Sequence, residues 1–541
     1  MLKKPILSLL LIIVCFLWAF KKSDKKSTSN SNKPNIVLIL VDDLGFSDIG
    51  CYGSEIKTPN LDRLAREGMR LKQCYNNAIC APSRASLLTG QYPHKAGIGF
   101  FNQDLGFPAY QGYLNKESVT FGEVFKQAGY NTFLLGKWHV GNDSAQLPLQ
   151  RGFDKFFGFI DGAFSYLDGK PIVKGGKNTE TFMSGNQTYS PTNSDFYLTD
   201  ELTQRSIGFL KDKKNDNPFF LYMAYNAPHW PLHGKPEDIA KYKGKYDIGW
   251  DSVRVLRHQK QIEWGVVDKN QKIYKDSTLR AWNKLTFDER HYWVKKMEVY
   301  AAMVDNLDQN IGKLLQYLES TNQLNNTLIV FASDNGGEDA DIARLPQLIP
   351  RLTGTVGSVG SNEAYSRSWA QVSNVPLRSY KATPYEGGIS SPFIARLPKI
   401  IPANSLKEGV VHFVDFLPTF ISFSGIDYPT KYKNITTNPL AGENFMPLLK
   451  GDNWSRTTPI CYEWAGHRFI RQGKWKLLST YPKNDWELYD IENDRSETTN
   501  IAKENPAKVQ ELIANYQQWA KQNNVRDWDS DMAKRTGWLA R

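Results

Sequence analysis

Apolar runs of five to eight residues, each closed by polar or acidic residues, recur along this chain and alternate with stretches of helical period. NIVLILV, Asn35 to Val41, is apolar and rich in β-branched residues without a break, and it ends on Asp42 and Asp43. A strand covered on both faces of a parallel sheet has this pattern. Similar runs stand at 131–135, 218–225 and 327–332. Thr58 and Pro59 open a predicted helix, with Thr58 as N-cap, Leu61, Leu64 and Ala65 on one face and Gly68 past its end. Further helices are predicted at 118–128 and 299–318. Strand and helix in alternation predict an α/β domain on a mostly parallel sheet.

The strings that carry chemistry follow these runs directly. Asp42-Asp43 follow the first, GKWHVG the second, NAPHW the third and SDNGG the fourth. Ligands of open α/β sheets bind beyond the carboxyl ends of the strands, so four strings converge on one edge. From about Leu406 the texture changes. HFVDFLPTF reads as a helix packing back on the main domain, and ICYEWAG, HRFIRQGKWKLLST and WELYDIEND as short antiparallel strands, followed by a helix at 506–522. The predicted architecture is a catalytic domain at 34–405 and a smaller C-terminal α+β subdomain at 406–541.

Composition refines this picture. A chain of 541 residues with 41% hydrophobic content buries a large core and argues more than one folding unit. Residues 1–20 read as a signal peptide: Lys3 and Lys4, then an apolar run from Ile6 to Ala19 too short for a comfortable membrane span. Cys15 follows Leu-Ile-Ile-Val rather than a small residue, which disfavours a lipid anchor there. Residues 21–33 form a polar Lys/Ser tether. The expected location is exported: periplasmic, secreted or at the cell surface. The first 33 residues hold seven Lys and one Asp, so residues 34–541 keep only +5 of the formal +11. That balance, with no zinc-type Cys spacing and no basic block interleaved with aromatics, excludes a nucleic-acid reader. Five cysteines, an odd number, provide no disulfide framework and predict mostly buried thiols.

The most specific string is CAPSRASLLTG, with Cys80, Pro82, Ser83, Arg84, Thr89 and Gly90. It resembles the signature of the type I sulfatases, the arylsulfatase family of the alkaline phosphatase superfamily, whose cysteine in Cys-x-Pro-x-Arg is oxidised to Cα-formylglycine. The resemblance implies an alkaline phosphatase-like fold and a maturation partner, a formylglycine-generating or anaerobic sulfatase-maturating enzyme. It also implies a nucleophile with a built-in release step. In an aldehyde hydrate one hydroxyl attacks sulfur, and deprotonating the other expels sulfate.

Other residues gain roles from the same resemblance. Asp42 and Asp43 also read as a turn-forming pair. Joined with Asp334 and Asn335 they supply three carboxylates and an amide oxygen, hard ligands suited to Ca²⁺, less to Mg²⁺, and poorly to zinc. The resemblance assigns these four, with the formylglycine oxygen of residue 80, to one calcium ion. It implies that Arg84 and Lys137 hold the hydrate and sulfate, that His139 takes a proton during sulfate elimination, and that Lys381 binds sulfate. His229 is the candidate general acid, ahead of His233. Ser390 departs from the pattern, since many relatives carry Arg two residues past the Glu-Gly-Gly that ends at Gly388.

The expected reaction is hydrolysis of sulfate esters on a sulfated carbohydrate or polysaccharide. A formylglycine-dependent phosphodiester or phosphonate hydrolase and a non-catalytic sulfoglycan-binding relative are the alternatives. Residues 235–293 and 353–369, rich in aromatic, cationic or Gly/Ser positions, read either as peripheral packing or as a substrate-selecting rim.

Overall fold

The computed structural model describes residues 33–536 apart from 171, 173–181, 214 and 341–353. The expected leader, Cys15, most of the tether and Thr353 lie outside the described residues, and one folding unit begins at Pro34. Its centre is a ten-stranded sheet. In chain order the strands are β1 (Asn35–Val41), β2 (Met69–Tyr75), β3 (Asn131–Lys137), β4 (Lys155–Phe159), β5 (Phe182–Ser184), β6 (Gln187–Thr188), β7 (Phe219–Ala224), β8 (Thr327–Ser333), β9 (Ser390–Arg396) and β10 (Ser405–His412). They lie side by side as β10-β2-β9-β8-β1-β7-β3-β4-β5-β6.

All seven residues of β1 are buried. Val37, Ile39 and Val41 enter the core layer on one face, and Ile36, Leu38 and Leu40 the layer on the other, which explains the unbroken apolar run. β1 pairs in parallel with β7 and β8, and β3 extends the parallel block. Only β9 and β5 run against the rest. The reversal of β9 has a functional consequence. The chain enters β9 at the edge where its neighbours exit, so the loop bearing Lys381 arrives beside the acids that follow β1 and β8.

The helices form as predicted, with informative differences. Thr58 is the N-cap of the Pro59–Glu67 helix, but its Oγ1 accepts from Gly50 N at 2.7 Å. The helix N–H groups of Asn60 and Leu61 donate instead to Asp308, at 3.1 and 2.8 Å. The helix expected at 299–318 runs from Phe287 to Ser320, because a Thr286/Glu289 capping box starts it three turns earlier. The buried aromatics of the 235–293 segment pack inward, while Trp264, Phe287 and Tyr292 stay exposed. Trp250 lies 4.7 Å from Trp282 and 5.7 Å from Trp369, all three buried, so these rings build core rather than a rim.

Beyond β10, which belongs to the large sheet, come a hairpin of β11 (Lys431–Tyr432) and β12 (Ile435–Thr436) and then a separate antiparallel sheet. That sheet is β13 (Ile460–Trp464), β14 (His467–Gln472), β15 (Trp475–Ser479) and β16 (Trp486–Asp490), paired in sequence order. The Pro506–Gln522 helix packs on it through Val509, Leu512, Tyr516 and Trp519. Cys51, Cys74, Cys80 and Cys461 are buried free thiols.

Candidate active site

The predicted residues meet at one edge of the large sheet because the strands end level. Val41 pairs with Ser333, and Leu40 and Gly136 both pair with Ala224, so Asp42, Lys137, Asp334 and the His229 loop leave neighbouring strands together. Gly136 makes the last step of β3 possible. It sits at φ 106°, and a Cβ there would lie 1.9 Å from Ala224 O. A Cβ on Gly336 would fall 1.7 Å from Gly387 O, so the glycines of SDNGG and of Glu386-Gly387-Gly388 let the two loops touch. Ala382 N donates to Ala78 O at 2.7 Å, which ties the Lys381 loop to the loop before Cys80.

Cys80 opens a helix, Cys80–Thr89, that is buried throughout and places Arg84 one turn on. Arg84 Nε donates to Asp334 Oδ2 at 3.0 Å, and its Nη2 lies 3.6 Å from Asp42 Oδ2. Lys137 Nζ donates to Asp42 Oδ2 at 2.6 Å. Lys381 Nζ donates to Asp43 Oδ1 at 2.6 Å and stands 2.9 Å from Glu338 Oε2. Asn335 Nδ2 donates to the same Asp43 oxygen at 2.7 Å, and His229 Nε2 lies 3.5 Å from Asp43 Oδ2. Asp43, His139, Ala78 and Ala382 all hold positive φ, between 56° and 65°. Such backbone costs of order 1–3 kcal/mol per residue and collects at functional sites.

Three oxygens in this cluster have no hydrogen-bond partner among the described residues: Asp42 Oδ1, Asp43 Oδ2 and Asn335 Oδ1. Leaving a buried acceptor unsatisfied costs about 1–3 kcal/mol. Ligand atoms of Asp42, Asp43 and His229 lie within 4.8 Å of one another. The donor set therefore fits a hard divalent cation. Asp334 is engaged by Arg84 on Oδ2 and by Asp43 N, at 3.4 Å, on Oδ1.

Electrostatics point the same way. Burial pushes Asp42 up, but Lys137, His229, Arg84 and Lys381 outweigh it and hold the carboxyl well below the usual carboxylate range. Asp43 is raised to about 7 by burial against the pull of Lys381, and the charge of Asp42 adds to the rise. Asp334 is raised to about 7 by burial and by Asp42, against Arg84. Carboxylates this close ionise together only when more positive charge is brought in. Burial raises the Cys80 thiol despite Lys137 and Lys381, so as a thiol it stays protonated. Burial, with Lys137 and Arg84, keeps His139 well below its ordinary value. Burial lowers His229 to about 4, opposed by Asp42. Lys381 is held well above its ordinary value, because Asp43 and Glu338 overcome its burial.

His233 is engaged elsewhere, with Nε2 2.8 Å from Ser361 O and Nδ1 3.5 Å from Ser165 Oγ. Three further groups escaped sequence reasoning. Glu338, three residues past Asn335 in SDNGGE, pairs with Lys381. Arg495, from the C-terminal segment, donates from Nη2 to Ser390 Oγ at 2.6 Å and from Nε to Glu386 Oε2 at 3.1 Å. Lys476 Nζ joins them, 3.0 Å from Glu386 Oε1 and 2.7 Å from Glu497 Oε1. An arginine distant in sequence thus stands beside Ser390.

Comparison with known proteins agrees with this arrangement. Residues 34–426 match the Sulfatase family, and residues 380–524 match the C-terminal region of N-sulphoglucosamine sulphohydrolase. An uncharacterized sulfatase of Schizosaccharomyces pombe is 33% identical over 515 residues, 90% of this chain and 93% of that protein. The arylsulfatase of Klebsiella aerogenes is 32% identical over 444 residues, 80% of this chain and 94% of its own. The crystal structure of Ps i-CgsB in complex with k-i-k-neocarrahexaose superposes with a TM-score of 0.69 at 29% identity, covering 94% of this chain and 97% of that one. With the family match running through every segment that brings a residue to the sheet edge, the chain belongs to the sulfatases of the alkaline phosphatase superfamily and is a sulfuric ester hydrolase.

Proposed function

We propose that this sulfatase removes sulfate from a sulfated carbohydrate after export, with Cys80 converted to Cα-formylglycine and one Ca²⁺ held by Asp42, Asp43, Asp334, Asn335 and the formylglycine oxygen. The observation that carries the reading is the convergence of three partnerless oxygens with Arg84, Lys137, His229 and Lys381 around one buried sheet edge. The solved relative bound to a carrageenan-type oligosaccharide supports the carbohydrate substrate. A bound divalent cation neutralises the carboxylates and draws charge from the sulfate oxygens.

The chain's own groups do the rest. A protonated Cys80 thiol is a weak nucleophile, whereas a hydrate at that position carries two hydroxyls and needs only one to attack. The hydrate ionises beside Lys137 and Lys381, releasing one proton to water; as its alkoxide oxygen bonds to sulfur, the bond from sulfur to the sugar oxygen breaks, and His229 gives that oxygen its proton. Substrate sulfate beside His229 favours the imidazolium needed for this step. His139, kept neutral by burial and its cationic neighbours, then accepts the proton of the second hydroxyl. Sulfate leaves, the aldehyde returns, and water rehydrates it. Arg84, Lys137 and Lys381 orient the anion throughout. Conversion of Cys80 requires a formylglycine-generating or anaerobic sulfatase-maturating enzyme in the host.

Parallel rates on an aryl sulfate, a phosphate monoester and a phosphodiester test the assignment. Sulfate should lead; a faster phosphodiester reaction would overturn it.

A further inference from the structure

We propose a second binding site, for a sulfated sugar unit, in a cavity of the C-terminal subdomain separate from the Cys80 cluster. The cavity, about 730 Å³, is lined by β14 and β16 residues, the Pro506–Gln522 helix and the chain that follows it. That size suits a small ligand or a few sugar rings. Arg468, Lys521 and Arg526 border it, and none of the three forms an ion pair with a carboxylate among the described residues. Trp486, Tyr516 and Trp528 supply its aromatic lining.

The donors of the lining point to the chemistry of the ligand. Arg468 Nε and Trp528 Nε1 lack a hydrogen-bond partner among the described residues, and Trp528 is only 9% exposed. Guanidinium and indole nitrogens donate and do not accept, so this lining suits a ligand that carries acceptors. Arg468 lies with its guanidinium 4.7 Å over the Trp486 ring, and Arg526 with its own 3.9 Å over Phe107. Cationic and aromatic side chains lining one cavity together match a sugar that carries sulfate. Glu463 and Asp527 also line the cavity. Glu463 is already engaged, its oxygens accepting from Gly466 N at 2.8 Å and Tyr110 OH at 3.1 Å, with His94 Nε2 at 2.8 Å.

A file of neighbouring rings runs from the cavity to the catalytic edge. Trp528 lies 5.6 Å from Phe100, Phe100 5.0 Å from Phe101, and Phe101 6.3 Å from His139. Such a site would raise the local concentration of a polymeric substrate without touching the bond that breaks.

This inference rests on the sulfated-carbohydrate reading. Affinity electrophoresis of the full-length protein tests it, in gels containing carrageenan, chondroitin sulfate or heparin, with alginate as a carboxylated control and agarose as a neutral one. At least one sulfated polymer should retard the wild type more than alginate does. R468Q/R526Q should weaken that retardation roughly tenfold or more, as expected for losing two charge-assisted contacts. W528F should weaken it less, and K243Q/K245Q, an equal charge change on the exposed 243–245 turn, should leave it unaltered. Aryl sulfate hydrolysis by R468Q/R526Q should match the wild type. Absence of retardation, equal retardation by alginate, an unaffected R468Q/R526Q or an equally weakened K243Q/K245Q would overturn the site. Failure of the wild type to hydrolyse aryl sulfate would instead strike the parent reading.

Discussion

Lys381 Nζ and Asp43 Oδ1 stand 2.6 Å apart with both side chains buried. The pair joins the loop entering antiparallel β9 to the loop leaving parallel β1, so a reversed strand completes the site. If Lys381 holds the sulfate, Lys381→Met should lower kcat/KM for an aryl sulfate by about 10²–10³, the usual cost of deleting one oriented donor. Steady-state kinetics check this, and a loss under tenfold would remove Lys381 from the sulfate clamp.

The partnerless oxygens predict a response to metal. Chelation should abolish hydrolysis and lower the melting temperature, and Ca²⁺ should restore both. A ligand at a hundred times its Kd stabilises the fold by about 2.7 kcal/mol. Asn335→Ala should blunt the Ca²⁺-dependent rise, because it removes one of the three free acceptors. A melting temperature indifferent to Ca²⁺ in the wild type would contradict the metal assignment.

Arg495→Met should destabilise the protein by about 3 kcal/mol, since it strips a cation from the buried Glu386 carboxylate. Glu386 heads the turn whose Gly387 packs on Gly336, so kcat/KM should fall as well, with Arg495→Lys recovering part of both. Thermal melts and kinetics on the two variants check this.

How far the site could be read in advance depends on the distance between partners. Asp42, Lys137, His229 and Asp334 were legible because each ends a buried strand or follows one within a few residues, and parallel strands bring such ends together. The large sheet and the C-terminal antiparallel sheet were legible for the same reason, since periodicity is local. Arg495 was not, because its partners Glu386 and Ser390 lie more than a hundred residues away. The early start of the Phe287–Ser320 helix hid behind a polar first turn, DERHYW, whose signal is the Thr286/Glu289 capping box rather than an apolar stripe. The tryptophans at 250 and 282 were ambiguous between rim and core, and only packing against Trp369 decides for core.

Buried histidines set the acid limb of stability. Burial, helped by Arg456, lowers His412 to about 3, and burial lowers His467 to about 4, from ordinary values of 6.5. Below pH 6.5 the unfolded chain takes up protons that these folded imidazoles refuse. Their contribution is therefore full above pH 6.5 and is lost as pH falls through the folded values. His412→Asn keeps an acceptor for Val414 N, and His467→Gln one for Tyr481 N. The double variant should lose less stability than the wild type between pH 6.5 and 4, as thermal unfolding across that range would show; an unchanged slope would refute the assignment.

The central claim is that residue 80 acts as formylglycine in a calcium-dependent sulfatase. Mass measurement of the peptide containing Cys80, taken from enzyme that actively cleaves aryl sulfate, tests it most directly. An aldehyde or its hydrate is expected in place of the thiol. An intact Cys80 thiol throughout a fully active preparation would contradict it.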